Sequence, residues 1–266
     1  MKALTSLVVF SDLDGTLLDH HTYEWFAATP ALDALRRIGA PLILSSSKTA
    51  VEIEKIQAGL GIGCTSAIVE NGAGVLGMQP GGGDGYTRLR ATLNGLPAHL
   101  RGPFTGFGDM DAAGVARVTG LCVADAADAK ARAFSEPGLW SGSQQDRAAF
   151  IAALAAQGVS AREGGRFLTL SFGATKADAM AQVTDVLKPR YTIALGDAPN
   201  DIEMLSAADF GVIVANPSRA PLPPLPGEKS GNITRTTVAG PAGWNLAVLA
   251  ILKQLNLDQE REHPHG

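Results

Sequence analysis

Two short acidic motifs, each placed directly after an apolar run, constrain this 266-residue chain more than any other feature. The first is DLDGT at Asp12–Thr16, which follows Leu7–Phe10, and the second is GDAPND at Gly196–Asp201, which follows Thr192–Leu195. A carboxylate at the end of a buried strand loses solvation, and this is costly unless a counter-charge compensates it. A divalent cation is the usual compensator where several carboxylates converge. The two motifs therefore predict an Mg²⁺ site of the kind used in phosphoryl transfer.

Short apolar runs alternate with helical patterns along much of the chain, which is typical of βαβ units and a parallel sheet. Buried strands are expected at Leu7–Phe10, Leu42–Leu44, Ala67–Val69, Thr192–Leu195 and Gly211–Val214. Amphipathic helices are expected at Pro30–Ile38, Ala50–Gly59, Lys176–Leu187 and Asp201–Ala208. The polar motifs follow the predicted strands, at the sheet edge where open α/β folds bind ligands. The predicted fold class is α/β, with a doubly wound, Rossmann-like parallel-sheet core.

The middle of the chain has a different pattern, which predicts an inserted α+β cap or lid domain. The glycine-rich segment Gly77–Gly85 is interpreted as a crossing between domains, because its PGGG sequence sustains neither helix nor strand. Beyond it the pattern predicts strands at Tyr86–Leu89 and Arg166–Phe172 and helices at Asp111–Thr119, Asp125–Arg132 and Asp146–Gln157. We expect the core to comprise residues 1–82 and 172–266, and the cap to comprise residues 83–171.

The end of the chain predicts a proline-rich loop, a closing helix and a frayed tail. The loop is expected at Pro217–Pro226, the helix at Gly243–Leu255 and the tail at Gln259–Gly266.

Charge and cysteine content exclude several classes of function. The 22 basic and 26 acidic side chains leave a net charge of −4, and no basic stretch could follow a nucleic-acid backbone. Cys64 and Cys122 are far apart and form no metal-binding motif, which favours a reducing cytoplasm. The first apolar run is too short for a membrane span or a signal-peptide core. We therefore expect a small-molecule substrate and neither nucleic acid nor membrane as partner, and we make no prediction of oligomeric state.

The acidic residues of the two motifs can divide the work of phosphate-ester hydrolysis. Asp12 is a candidate nucleophile that would form an aspartyl-phosphate and so split one difficult step into two easier ones. Asp14 is a candidate general acid and base, which would protonate the leaving alcohol and later deprotonate water. Asp197 and Asp201 would complete the metal site together with Asp12 and the backbone carbonyl of Asp14.

Two further residues are candidates for holding the phosphoryl oxygens. Ser46 follows the predicted strand Leu42–Leu44, where its hydroxyl and backbone N–H can donate to phosphate beside the N-terminus of the next helix. Alternatively, Ser46 only caps that helix. Lys176 lies at the start of a predicted helix, where a cation opposes the helix dipole and so indicates a nearby anion. Its alternative interpretation is a solvated helix residue.

Taken in order, Asp12–Thr16, Ser46, Lys176 and Gly196–Asp201 resemble the four motifs of the haloacid dehalogenase superfamily of phosphohydrolases. The insertion between the second and third motifs resembles the subclass with a C2B α+β cap. Within that subclass the chain is similar to the mannosyl-3-phosphoglycerate phosphatases. The segments that carry this similarity are Asp14–Tyr23, Ser46–Thr49, Glu70–Gly72, Ser135–Pro137 and Gly164–Phe167. The chain departs from the usual pattern at Ser46, where threonine is often found, and at Lys48, where many relatives have arginine.

The resemblance implies Mg²⁺-dependent hydrolysis of mannosyl-3-phosphoglycerate, or of its glucosyl counterpart, to phosphate and a glycosylglycerate, which is a compatible solute. The candidate substrate-binding residues are Ser47, Lys48, Glu70, Asn71, Gly72, Arg166 and Asn200. Arg166 could clamp the glycerate carboxylate with its planar fork, although it could equally be a surface residue, and Glu70–Gly72 could be an ordinary turn. The alternative functions are a phosphatase for a broader range of sugar phosphates, a phosphosugar mutase, and a non-catalytic sensor of a phosphorylated ligand.

Overall fold

The computed structural model describes residues 5–62, 65–78, 84–164 and 166–258. The chain divides into two compact units: Met1–Ser46 with Lys176–Gly266, and Ser47–Thr175. The chain therefore leaves the first unit directly after Ser46 and returns to it at Lys176. The division of the chain into a core at 1–82 and 172–266 and a cap at 83–171 stays a prediction.

The strands of the described residues are, in chain order, β1 (Leu7–Ser11), β2 (Leu42–Ser45), β3 (Ala67–Val69), β4 (Gly74–Leu76), β5 (Phe104–Gly106), β6 (Ser135–Trp140), β7 (Ser160–Gly164), β8 (Phe167–Ser171), β9 (Tyr191–Gly196), β10 (Phe210–Ala215) and β11 (Ile233–Ala239). The helices are α1 (Thr29–Ile38), α2 (Ala50–Leu60), α3 (Gly85–Asn94), α4 (Ala98–Arg101), α5 (Ala112–Thr119), α6 (Val123–Lys130), α7 (Gln144–Ala155), α8 (Lys176–Leu187), α9 (Ile202–Ala207), α10 (Pro226–Ser230) and α11 (Gly240–Gln254). Single 3₁₀ turns lie at Phe26–Ala28, Glu70–Gly72, Phe107–Asp109 and Pro199–Asp201.

A parallel sheet forms the centre of the first unit, where β11, β10, β9, β1 and β2 lie side by side in that order. All five residues of β1 are buried, as expected for a strand covered on both faces. Strand β2 pairs with one edge of β1, and β9, which comes much later in the chain, pairs with the other edge. The strand order thus reverses between β1 and β9, and such a switch point is where an α/β sheet binds its ligand.

The second unit contains a four-stranded antiparallel sheet in the order β5, β6, β8 and β7, and its strands β3 and β4 pair antiparallel with each other. Helices α3 and α7 contribute buried side chains to a core that includes Leu89, Phe104, Phe150 and Leu170. An antiparallel sheet combined with helices is an α+β arrangement, as the middle of the chain predicts. The predicted α/β fold class with an α+β insertion is confirmed.

Most of the expected elements are present within one or two residues of their predicted bounds, including strands β1, β2, β3, β9 and β10 and helices α1, α2 and α8. Helix α11 begins at Gly240, three residues before its expected start at Gly243. The strand expected at Tyr86–Leu89 is wrong, because these residues belong to helix α3. Leu89 and Leu93 are both completely buried, and their spacing of four residues places them on one face of that helix. The proline-rich loop is present and ends where α10 begins at Pro226.

Several expectations concern parts of the chain outside the described residues. These are the centre of the glycine-rich segment at 79–83, the cysteine at position 64 and the tail at 259–266. Cys122 is described and lies exposed at the N-terminus of α6. In the described ranges, none of the helices has the length and apolar character needed to cross a membrane.

Candidate active site

The acidic motifs meet at the carboxyl edge of the sheet in the first unit. Asp12 follows β1 and Asp197 follows β9, and the N–H of Asp12 donates to the carbonyl of Leu195 at 2.9 Å, which continues the pairing of these two strands. Beyond Asp12 the chain turns tightly, with a hydrogen bond from the N–H of Gly15 to the carbonyl of Leu18. Gly15 has a φ of 83°, which is a backbone conformation that glycine adopts without strain.

Three carboxylates converge at this edge. Asp12, Asp197 and Asp201 are all buried, and one oxygen from each lies within 4.8 Å of the other two. Such a cluster is electrostatically unfavourable by itself, since like charges are held together away from solvent. Carboxylate oxygens are hard ligands, and three of them directed at one point suit a divalent cation. The geometry of the described residues therefore fits a divalent metal site.

Lys176 supplies part of the missing positive charge. Its Nζ donates to Asp12 Oδ1 at 2.6 Å, to Asp201 Oδ1 at 2.7 Å and to the carbonyl of Ser45 at 2.9 Å. Only 1% of the side chain is exposed, so the interpretation of Lys176 as a solvated helix residue is wrong. Burial lowers the pKa of this lysine, but the charges of Asp12 and Asp201 outweigh burial, and the net shift is upward. Lys176 is therefore a permanent cation between two carboxylates.

Asp201 is fixed from its other side by backbone donors. Its Oδ2 accepts the N–H groups of Asp197 at 3.1 Å and of Ala198 at 2.9 Å. Burial is the largest influence on this carboxyl group and raises its pKa to about 6, although Lys176 acts in the opposite direction. Gly196 is required here, because a Cβ atom at that position would lie 2.5 Å from Cβ of Asp201.

Asp197 is held by three side chains. Thr16 Oγ1 donates to its Oδ1 at 3.2 Å, while Asn216 Nδ2 donates to its Oδ2 at 2.7 Å and Arg219 Nε lies 3.0 Å from the same oxygen. Burial and the charge of Asp12 raise the pKa of Asp197, and the donors from Asn216, Arg219 and Thr16 oppose this shift. Sequence reasoning did not select Asn216 or Arg219. Asn216 directly follows β10, so the rule that polar residues after strands form the site would have indicated it.

Ser46 does not cap the helix that follows it. Thr49 is the N-cap of α2, with its side chain accepting the N–H of Glu52 while the Glu52 carboxylate accepts the N–H of Thr49. This reciprocal pair is a capping box. Ser46 itself is 1% exposed and lies just beyond β2. The alternative reading of Ser46 as a simple cap is wrong, while its role in phosphate binding stays a prediction.

The segment Glu70–Gly72 is a strained turn in the second unit. Glu70, Asn71 and Gly72 all have positive φ angles, of 52°, 60° and 98°. Such strain persists only where surrounding contacts impose it. Here the buried Glu70 carboxylate accepts the backbone N–H groups of residues 133–135 and the hydroxyl of Ser135, at 2.6 to 3.2 Å. The carboxylate thus ties the turn to the start of β6, and its substrate role stays a prediction.

The remaining candidates for substrate binding are dispersed. The carbonyl of Ser47 accepts Arg132 Nη1 at 2.8 Å, and the carbonyl of Lys48 accepts the N–H of Glu70 at 3.0 Å. The guanidinium of Arg166 donates to the carbonyls of Val118 and Thr119 at the end of α5. Asn200 is exposed in the turn Pro199–Asp201. Their roles in substrate binding stay predictions.

Comparison with known proteins places this geometry in a family. A family model described as haloacid dehalogenase-like hydrolase matches residues 9–82 and 147–220. A glucosyl-3-phosphoglycerate/mannosyl-3-phosphoglycerate phosphatase of Methanococcoides burtonii is 31% identical, over 94% of this chain and 98% of that protein.

Solved structures share the fold. A hypothetical protein from Geobacillus kaustophilus superposes with a TM-score of 0.62 at 20% identity, covering 95% of this chain and 99% of the other. BT4131, a sugar phosphatase of haloacid dehalogenase subclass IIB, gives a TM-score of 0.58 at 15% identity, covering 95% of this chain and 100% of the other. At these identities the structures support the fold alone, whereas the family model and the relative extend the likeness to sequence. The chain belongs to the haloacid dehalogenase-like hydrolase family and is a phosphatase.

Proposed function

We propose that this phosphatase hydrolyses mannosyl-3-phosphoglycerate or glucosyl-3-phosphoglycerate to phosphate and the glycosylglycerate, with Mg²⁺ as its metal. The observation that carries the chemistry is the buried contact of Lys176 with Asp12 and Asp201, beside Asp197. The substrate assignment is supported by the printed name of the 31% identical relative, which covers nearly the whole chain. It is also supported by the segments that resemble the mannosyl-3-phosphoglycerate phosphatases, such as Ser46–Thr49.

Asp12 serves as the nucleophile in this proposal. Because Lys176 holds Oδ1, the other carboxylate oxygen is available to attack phosphorus. The bond from phosphorus to the ester oxygen breaks as the aspartyl-phosphate forms, and Asp14 gives its proton to the leaving oxygen. Asp14 then removes a proton from water, the water oxygen attacks phosphorus, and the Asp12 carboxylate is released with inorganic phosphate.

The metal ligands in this proposal are the carboxylates of Asp12, Asp197 and Asp201 and the backbone carbonyl of Asp14. Bound Mg²⁺ supplies positive charge that offsets the repulsion between a phosphate dianion and an anionic nucleophile. Thr16 and Asn216 hold the Asp197 carboxylate in one orientation through hydrogen bonds to its two oxygens. Such outer hydrogen bonds orient a ligand before the ion arrives.

Ser46 and the seven dispersed candidates provide substrate contacts in this proposal. Ser46 donates its hydroxyl to the phosphoryl oxygens. Ser47, Lys48, Glu70, Asn71, Gly72, Arg166 and Asn200 bind the rest of the substrate. We assign Arg166 to the glycerate carboxylate, because a guanidinium has five N–H donors and only two of them are directed at the carbonyls of Val118 and Thr119. The inserted α+β domain then selects the substrate, while the parallel-sheet core performs the chemistry.

The cytoplasm is the proposed location of this reaction, in agreement with the exposed free thiol of Cys122. A phosphorylated sugar-glycerate is the one partner that we propose, without nucleic acid or membrane.

Phosphate release tests the proposal. Mannosyl-3-phosphoglycerate, glucosyl-3-phosphoglycerate, 3-phosphoglycerate and glucose 6-phosphate are each incubated with the protein and Mg²⁺, and with Asp12→Asn protein as the control. We expect rapid release from a glycosyl-3-phosphoglycerate alone, and none in the control. Comparable slow release from all four would contradict the substrate and favour a broader sugar-phosphate phosphatase. A transfer of phosphate to another sugar position, detected by NMR, would indicate a mutase, and binding without any turnover would indicate a sensor.

A further inference from the structure

Arg219 is a second cation on the carboxylate cluster, and the function described above gives it no role. It lies in the loop between β10 and α10, two residues beyond Pro217. Its Nε contacts Asp197 Oδ2 at 3.0 Å, next to the amide of Asn216 on the same oxygen. The backbone N–H of Arg219 also donates to the carbonyl of Asn216, at 3.3 Å. The loop therefore presents the guanidinium and the amide to Asp197 together.

The other cation, Lys176, has no donor left for a ligand. An ammonium group carries three N–H bonds. In this structure they are directed at Asp12, Asp201 and the carbonyl of Ser45, at 2.6 to 2.9 Å. The side chain is also completely buried. Lys176 can thus neutralise the carboxylates, but it must give up one of these contacts before it can bind a phosphoryl oxygen directly.

Arg219 differs from Lys176 in that it keeps N–H donors for a ligand. A guanidinium has five N–H donors in a planar fork, and the contact with Asp197 engages Nε. For its two Nη groups the structure shows no acceptor among the described residues. The side chain remains 39% exposed, so a ligand can approach these groups from solvent. Planar pairs of N–H donors match the oxygens of a phosphate group.

The charge balance of the site also favours phosphate binding by Arg219. Asp12, Asp197 and Asp201 bring three negative charges to the site, Asp14 is neutral while it holds the proton for the leaving group, and Lys176 and Arg219 bring two positive charges. One divalent cation makes the sum +1, and a phosphomonoester dianion makes it −1. Arg219 limits this excess, because its positive charge contacts Asp197 while 39% of its side chain stays exposed to solvent.

We propose that Arg219 binds the phosphoryl group of the substrate and of the product, and that it couples phosphate binding to metal binding through Asp197. This inference rests on the proposed function, since it takes the ligand to be a phosphate ester. Without ligands, Arg219 is the counter-charge of Asp197. With a metal ion held by Asp197, Arg219 would lose its counter-charge, and a bound phosphate group would replace it. Each ligand therefore strengthens the binding of the other.

Calorimetric titration tests this coupling with the metal alone and with inorganic phosphate. Mg²⁺ is titrated into metal-free protein, and phosphate is titrated into metal-free and into Mg²⁺-loaded protein, for wild type, Arg219→Gln, Arg219→Lys and Arg36→Gln. Arg36 is a matched control, because it is an exposed arginine paired with Asp33 on α1. For Arg219→Gln we expect phosphate binding about 10- to 100-fold weaker, as for a lost charge-assisted hydrogen bond, and Mg²⁺ binding unchanged or a few-fold tighter. Arg219→Lys should lie between wild type and Arg219→Gln, and Arg36→Gln should match wild type.

Phosphate affinity within twofold of wild type in Arg219→Gln would overturn the proposal. Weaker Mg²⁺ binding with unaltered phosphate binding would also overturn it, because Arg219 would then only orient Asp197. If Arg219→Gln does not fold, Arg219→Lys decides. Weaker phosphate binding by Arg219→Lys than by wild type would support the proposal, and equal binding would overturn it. A wild-type protein that releases no phosphate from any ester contradicts the proposed function. The titrations still decide whether Arg219 binds phosphate in that case, so the two failures are distinguishable.

Discussion

At Lys176 a single ammonium group serves two buried carboxylates and a backbone carbonyl. Desolvating an ion is strongly unfavourable, and removing one member of a buried ion pair leaves the other uncompensated. The same residue is thus needed for stability when the metal is absent and for charge balance when a phosphate is bound. This dual demand makes the site sensitive to substitutions that preserve shape but remove charge.

The variant Lys176→Met tests whether Lys176 stabilises the folded protein when the metal is absent. In EDTA at pH 8 we expect the variant to unfold with a free energy about 3–5 kcal/mol lower than wild type, because two buried carboxylates lose their counter-charge. Mg²⁺ should restore part of this loss, since the ion compensates the same carboxylates. Urea unfolding with and without Mg²⁺ measures both effects.

The double variant Lys176→Met/Asp201→Asn is the matched control for that experiment. It has one buried charge fewer, so we expect it to be more stable in EDTA than Lys176→Met alone. If Lys176→Met is as stable as wild type in EDTA, the ion pairs with Asp12 and Asp201 contribute nothing to folding.

At the scale of elements, helix α11 is linked to the candidate nucleophile by hydrogen bonds. Trp244 is completely buried, and its Nε1 donates to Ser11 Oγ at 2.9 Å. Ser11 Oγ donates in turn to the carbonyl of Asp12 at 2.7 Å. This chain of donors fixes the end of β1, where the backbone leaves the sheet and the carboxylate must be aimed precisely at phosphorus.

Trp244→Phe removes the first donor of this chain and keeps an aromatic side chain in the core. We expect a loss of about 1–3 kcal/mol in the free energy of unfolding. We also expect a several-fold lower kcat with little change in KM, because the substrate-binding groups are not altered. Trp140→Phe is the control: Trp140 donates to the carbonyl of Ser143 in the second unit, and its loss should leave kcat unchanged. Equal kcat values in both variants would show that Trp244 acts in packing alone.

The elements also show which parts of the molecule can be predicted from sequence. Strands β1, β2, β9 and β10 are predictable because each is a short apolar run followed by polar residues, and β1 is an example with every residue buried. Strands β4, β5, β6, β7 and β11 were not predicted. In β11 most residues are exposed, and β6 contains a glycine and a proline, so neither shows an apolar run. Their position in a sheet depends on partners elsewhere in the chain.

The residues of the candidate site likewise divide into those with a local sequence pattern and those that depend on distant parts of the chain. Asp12, Asp197 and Asp201 were found from two motifs that begin at or just after the ends of β1 and β9, and the structure brings them together. The partners of Glu70 at residues 133–135 lie far away in sequence and are backbone groups, which have no sequence signature. Arg219 lies in a proline-rich loop whose path is set by tertiary contacts. Long-range contacts of this kind are what a single sequence does not contain.

At the scale of the whole molecule, stability in acid depends on carboxylates whose pKa is lowered by folding. In the second unit, burial by itself would raise the pKa of Asp109. Hydrogen bonds from Arg90 and Arg101 and from the N–H of Gly106 outweigh burial and lower this pKa to about 2. The charged form is therefore favoured by folding. Its contribution is complete above the unfolded pKa near 3.8 and is lost as the pH falls from there towards 2.

Asp109→Asn should remove this part of the pH dependence. Between pH 4 and pH 2.5 we expect the unfolding free energy of wild type to fall more steeply than that of Asp109→Asn. At pH 7 the variant should be less stable by about 1 kcal/mol, allowing for partial exposure of the group. Thermal unfolding monitored by circular dichroism across this range gives both values. Asp185→Asn, a change at an exposed position on α8, is the control and should parallel wild type.

The chain passes out of the first unit after Ser46 and re-enters it at Lys176, so the whole second unit is one uninterrupted stretch between two residues of the proposed reactive set. In genetic terms this stretch is a cassette. Replacing Ser47–Thr175 by the corresponding segment of a relative leaves Asp12, Asp14, Asp197 and Asp201 in their own sequence context. Under the proposed division of roles, new substrate preferences arise by recombination or by drift within this single block of the gene, while the chemistry is inherited unchanged.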